Sequence, residues 1–221
     1  DIEDNLSIPF LGEIPHNRKN EEMVIGKQRR NGVSEAFRIV RSNIDFMLDK
    51  QNKSQVLMLT SFNPASGKSF ISYNLAVSLV LAGKRTILLE MDIRKGSKKD
   101  KDGNVLPGLT NYLSGKITDP TQLIHPHIGF EELDVIASGP VPPNPAELLL
   151  GLSLDKLIGV LRDRYDYIII DTVPYGMVAD AQIVSRVVDL CIYVVREGLM
   201  DRRRLPDQSI VVMDEEGRYY H

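Results

Sequence analysis

The stretch TSFNPASGKSF, residues 60–70, holds the residue types that grip a phosphate. Gly67, Lys68 and Ser69 offer a backbone that can turn tightly, an ammonium for β- and γ-phosphates and a hydroxyl for Mg2+. The pattern G-x-x-x-x-G-K-[ST] is incomplete, because Phe62 stands where its first glycine would be. Carboxylates elsewhere could complete the chemistry. YIIID runs through apolar residues to Asp171, a position that can hold Mg2+ directly or through water. TILLEMD carries Glu90 and Asp92 at i and i+2, so in one continuous strand both would point to the same face. Such a pair can serve as metal ligand and as base for an incoming hydroxyl. Plainer readings of the same residues are a βα turn without ligand, a helix-capping Asp171 and a solvent-facing strand end.

These groups work only if the chain around them forms the right elements. QVLMLTSF (55–62) reads as a buried strand, and KSFISYNLAVSLVLAG (68–83) as a helix closed by Gly83. Backbone N–H groups and the helix dipole at its start favour phosphate. TILLEMD (86–92), LDVIAS (133–138), YIIID (167–171) and LCIYVVR (190–196) are further apolar strands. Each is separated from the next by enough residues for a helix. The expected fold is therefore α/β, P-loop NTPase-like, a mostly parallel sheet with helices on both faces. Ser34 reads as the N-cap of a helix through EAFRIVRSNIDFMLD, and KGSKKDKDGN (95–104) as a solvated loop. His125 and His127 flank Pro126 with no further ligand beside them, so a surface loop is expected there rather than a metal site.

Bulk properties exclude several classes. At 221 residues and 43% hydrophobic content, the chain can bury one sizeable core. A net charge of −3 gives no global case for nucleic-acid binding, and no nucleic-acid partner is expected. The one cysteine, Cys191, lies in an apolar run and is expected buried and reduced. No apolar run approaches the roughly 18 residues of a membrane span. The chain opens without Met or a signal peptide, as a soluble fragment of a longer protein would.

Several segments together resemble the bacterial tyrosine kinases, cytoplasmic partners in capsule and exopolysaccharide export. They are PASGKS, LLEMDIR, GPVPPNPAELL (139–149), DYIIIDTVPYGMVADA (166–181) and an E-x-x-R-x-x-R helix formed by Glu35, Arg38 and Arg41. The likeness covers residues 8 to 207, with 1–34 as lead-in from a membrane region. The resemblance implies an ATP-dependent, autophosphorylating protein-tyrosine kinase with Mg2+. Pro64, Ala65, Ser66, Gly67, Lys68, Ser69 and Phe70 would bind nucleotide, with Arg196 near the base. Lys68, Glu90, Asp92 and Asp171 would be catalytic, and Ser69, Asp171 and Glu90 would hold the metal. Glu35, Arg38 and Arg41 would join copies of the chain into a ring, each tail reaching a neighbour's site. The implied partners are a membrane-spanning co-polymerase region, on the same or another chain, and the polysaccharide export machinery. The implied location is the cytoplasmic side of the plasma membrane.

The chain departs from the family pattern in places. Ala65 stands where glycine is usual, tolerable at negative φ and costly at positive φ. Glu90 replaces the first aspartate of the second acidic motif. After LPD (205–207) one helix of the family pattern is missing before SIVVMD, which could still be the last strand; either the natural chain is short here or residues are absent between 207 and 208. Tyr219 and Tyr220 in the 208–221 segment are the candidate phosphoacceptors. Two other functions stay open: a nucleotide-gated assembly module with little kinase activity, and a partitioning or septum-site ATPase. The latter is disfavoured by Asn63, where those proteins carry a signature lysine.

Overall fold

The computed structural model describes residues 9–15, 17, 22–26, 32–49, 51–97, 105–175 and 179–196, and the backbone of 210–213. In chain order the strands are β1 (Phe10–Ile14), β2 (Gln55–Ser61), β3 (Thr86–Glu90), β4 (His125–His127), β5 (Phe130–Ile136), β6 (Tyr167–Asp171), β7 (Leu190–Arg196) and β8 (Ile210–Met213). The α-helices are α1 (Gly32–Met47), α2 (Lys68–Leu81), α3 (Leu109–Leu113), α4 (Pro145–Leu150), α5 (Leu152–Arg162) and α6 (Asp180–Val184). They surround one eight-stranded sheet of order β1-β8-β7-β2-β6-β3-β5-β4. Every neighbouring pair is parallel except β4 with β5. The mostly parallel α/β sheet expected from the sequence is thus observed.

Alternation along the central strands divides the core in two. Leu57 and Leu59 of β2 and Ile169 of β6 pack on one face with Phe37, Val40 and Ile44 of α1 and Ile71, Leu75 and Leu79 of α2. Val56 and Met58, with Ile168 and Ile170, face the other way against Leu154, Leu157 and Leu161 of α5. The α1 residues follow helical spacing and are 1% exposed or less. Burying side chains of this size stabilises the fold by about 1.5–3 kcal/mol each.

Some boundaries differ from the sequence reading. The first helix begins at Gly32, so Ser34 lies inside its first turn, 1% exposed, and is not the N-cap. The HPH segment is not a loop but β4, a short antiparallel edge strand on β5, where His127 stacks on Tyr73 of α2 at a centroid distance of 4.3 Å. β3 ends at Glu90 rather than Asp92. Met91 N–H donates to the Asp171 carbonyl, and the chain then turns, with Lys95 N–H donating to Asp92 O. SIVVMD contributes β8, which enters the sheet between β1 and β7.

Candidate nucleotide site

Because β2, β6, β3 and β7 are parallel, their carboxyl ends share one edge of the sheet. In α/β sheets ligands bind at that edge. Register brings the ends together: Leu59 and Glu90 are both paired with Asp171, and Ser61 with Val194. A cavity of about 510 Å³ opens there. It is lined by Pro64, Ala65, Gly67, Lys68, Ser69 and Phe70 of the loop and the start of α2, by Asp92, Arg94 and Lys95 after β3, and by Asp171 to Pro174 after β6.

The loop's shape follows from two left-handed residues. Gly67, the N-cap of α2, has φ 84°, which glycine adopts without cost. Ala65 has φ 59° and is the one non-glycine residue with positive φ among the described residues. For an L-residue that region costs about 1–2 kcal/mol. The loop is braced from within by Ser66, whose hydroxyl donates to the Asn63 carbonyl at 2.8 Å. Ser66 is 3% exposed and does not line the cavity. Phe70 lines the cavity and meets Phe37 edge-on at a centroid distance of 6.0 Å.

Asp171 closes the floor. It lies on the α2 face of the sheet, hydrogen-bonded by Ser69, and Ser72 Oγ lies 3.4 Å from its Oδ1. Burial pushes its carboxyl above the usual range, against the Ser69 hydrogen bond and the Lys68 ammonium, which favour the anion. Lys68 is 9% exposed. Burial pushes its ammonium below the usual range, while Asp171 and Asp92 favour the cation and Lys95 opposes it. The two charged groups are thus held in one poorly hydrated place by their mutual attraction. The segment after β6 is fixed by Thr172 Oγ1 donating to Leu59 O at 2.9 Å and by Tyr175 N–H donating to Ser61 O at 2.6 Å.

The expected acidic pair separates. Glu90 has the same strand parity as Leu88 and stands beside Asp171 in register, yet it does not line the cavity. Asp92, beyond the strand end, does. Next to it Arg94 makes a bidentate pair with Asp180, Nε–Oδ2 2.7 Å and Nη2–Oδ1 2.8 Å. Asp180 is 2% exposed, and this bond holds the guanidinium pKa above its usual value. Thr172 and Asp180 fall within the 166–181 segment that carries the resemblance, but the sequence assigns neither a role, and Lys95 lies in no motif at all.

Arg196, expected near a base, donates from Nη1 to the Ala65 carbonyl at 2.9 Å and does not line the cavity. On α1, Glu35 and Arg38 pair with each other at 2.8 Å, both exposed. Arg41 reaches Ser78 O at 2.7 Å and Ser78 Oγ at 3.1 Å. It caps the carboxyl end of α2, where a cation is favoured. Tyr219 and Tyr220 lie outside the described residues. Among the described residues, no helix is long and apolar enough to cross a membrane.

A parallel sheet carrying a phosphate loop, a strand-end aspartate and a second acidic segment defines a P-loop nucleotide-binding α/β protein. No protein-family model matches the chain. It is 37% identical over 169 residues to the putative tyrosine-protein kinase CapB of Staphylococcus aureus, covering 75% of this chain and 72% of that one. It is 39% identical over 184 residues to the tyrosine-protein kinase CpsD of Streptococcus agalactiae, covering 82% and 77%. The crystal structure of the chimerical protein CapA2B2 superposes with a TM-score of 0.82 at 31% identity over 99% of both chains. The chain belongs to the bacterial tyrosine-protein kinase family of capsule and exopolysaccharide synthesis. The septum-site-determining protein MinD of Pyrococcus horikoshii, complexed with Mg-ADP, matches with a TM-score of 0.55 at 19% identity, a likeness of fold alone.

Proposed function

We propose that this chain transfers the γ-phosphoryl group of ATP to tyrosine hydroxyls, its own tail included, in the regulation of capsule or exopolysaccharide synthesis. The observation that carries this reading is the convergence of Lys68, Ser69, Asp92 and Asp171 on one cavity. The loop amides and Lys68 bind the phosphates and stabilise charge on the transferring group. The Ser69 hydroxyl and Asp171 carboxylate form an oxygen donor set of the kind Mg2+ takes, a cation that keeps most of its waters. Bound there, Mg2+ would neutralise charge on the β- and γ-phosphate oxygens. Glu90, paired in register with Asp171 but not lining the cavity, would act on that ion through Asp171 or water. Asp92, at the cavity wall, accepts the proton of the attacking tyrosine hydroxyl.

Tyr219 and Tyr220 are the proposed acceptors. A ring of identical chains would present each tail to a neighbour. Glu35 and Arg38 lie exposed where a partner surface could meet them, whereas Arg41 is engaged within its own chain. The proposed setting is the cytoplasmic side of the membrane, beside a membrane-spanning co-polymerase region and the export machinery.

The test is incubation of purified protein with Mg-ATP and mapping of phosphotyrosine by mass spectrometry, with Lys68→Met and Asp92→Asn as controls. Tail phosphotyrosine lost in both controls is the expected result. ATP binding without phosphotyrosine would overturn the kinase reading in favour of a nucleotide-gated assembly module.

A further inference from the structure

Arg196 ends β7, and Ser61 ends β2, its neighbour in the sheet. The phosphate loop leaves β2, so the arginine stands beside the loop's root and spans to Ala65, 131 positions away in sequence. The carbonyl it grips belongs to the one described non-glycine residue held at positive φ. We propose that Arg196 is a positioning residue that holds the Ala65 peptide in its left-handed turn and thereby fixes the loop for phosphate. The proposal rests on the nucleotide reading of the cavity.

An L-alanine in the left-handed region lies uphill of its ordinary conformations. Left alone, the peptide after Ala65 would tend to rotate back. The peptide is planar and trans, so the direction of the Ala65 carbonyl also sets the direction of the Ser66 N–H. A guanidinium bond to that carbonyl is charge-assisted and stronger than a neutral one. It holds one end of the peptide while Ser66 Oγ, bonded to Asn63 O, holds the next residue. A glycine in place of Ala65 would need no such restraint. Arg196 and Ala65 therefore form a compensating pair: the restraint matters because the residue is strained.

The experiment is a four-protein cycle of wild type, Ala65→Gly, Arg196→Met and the double variant, with Arg196→Lys as the conservative control. Methionine keeps the apolar stem and removes the guanidinium. Two readouts are taken: Mg-ADP affinity by calorimetry, and amide exchange of the 62–70 segment without nucleotide. Arg196→Met is expected to weaken Mg-ADP binding about 5–30-fold, the factor that matches the left-handed cost. It is also expected to speed exchange in the loop, with Arg196→Lys losing less. In the Ala65→Gly background the same change should cost less than about twofold in affinity, the remainder after the strain is gone. Equal losses in both backgrounds would mean that Arg196 touches the nucleotide itself and would overturn the proposal. No loss in either background would overturn it too. If wild type fails to bind Mg-ADP, the nucleotide reading falls. The exchange data then decide the restraint alone: faster exchange only where Ala65 is retained supports it, and any other pattern refutes it.

Discussion

Ala65→Gly should stabilise the protein, against the usual direction of such a change. Removing the methyl group relieves a residue at φ 59°. The left-handed region costs an L-residue about 1–2 kcal/mol. Glycine gives back about 0.4–1 kcal/mol through the greater freedom of the unfolded chain. The net gain is about 0–1.6 kcal/mol, about 0.8 kcal/mol at the midpoints of those terms. For a domain of this size, each kcal/mol moves Tm by about 2–4 °C, so the midpoint gain raises Tm by about 2–3 °C. Ala82 supplies the control. It caps the end of α2 at φ −86°, where no strain is present to relieve. The same change there should destabilise by about 0.5–1 kcal/mol. Thermal and urea unfolding of both variants without nucleotide, against wild type, measure the pair. A fall in stability for Ala65→Gly, or the same sign at both positions, would refute the reasoning from backbone strain.

Three further outcomes are expected. Lys68→Met and Asp171→Asn each strand one buried partner, so the double variant should be more stable than the sum of the singles by about 1–3 kcal/mol, measured by urea titration of all four proteins. Lys68 also carries a pH signature. Its folded pKa lies below 10.5, so the unfolded chain binds more protons in the window between the two values. Stability should therefore rise with pH through that window, and subtracting the Lys68→Met curve from wild type isolates the effect. Arg94→Ala leaves the carboxylate of Asp180, 2% exposed, without its bidentate partner. With Arg94 itself partly exposed, the loss should be about 1–3 kcal/mol, and Arg94→Lys should restore less than half, because an ammonium cannot reproduce the two-pronged contact.

What is legible in the sequence follows how local each signal is. The phosphate loop, its strand and its helix lie within one contiguous stretch, and hydropathy with three residue types marks them. β6 and β7 are short apolar runs with clear ends, and their bounds match the expectation at both termini. Placing Asp92 on a strand assumes that β3 continues. The strand instead hands its hydrogen bonding to Asp171 O through Met91 and enters a turn, which no hydropathy pattern announces. Motif and resemblance make Arg41 and Arg196 groups that face a partner or a base. Both bind backbone carbonyls, of Ser78 and Ala65, at sequence separations of 37 and 131. Side-chain to backbone contacts of that range leave no residue-type signature, since every residue offers a carbonyl. β4 is illegible for a related reason. Three residues at a sheet edge carry no periodicity, and Pro126 is tolerated there because an edge strand need not donate on both sides.

Two of the departures from the family pattern, Ala65 and Glu90, bear on different parts of the proposed chemistry. Ala65 alters the backbone, and the structure retains the left-handed turn at that position. The cost is one of stability and loop restraint, which the Arg196 contact can offset. Glu90 alters a side chain that stands beside Asp171 without lining the cavity, while Asp92 lines it. On the proposed mechanism, a longer carboxylate that does not line the cavity would change the field around a bound Mg2+ more than the proton transfer. Ala65→Gly should therefore alter stability, and nucleotide affinity chiefly once Arg196 is lost. Glu90→Asp should leave nucleotide affinity near wild type and act on the Mg2+ dependence of turnover. Equal responses of both variants in affinity and in Mg2+ dependence would show that the loop and the acidic segment are one unit.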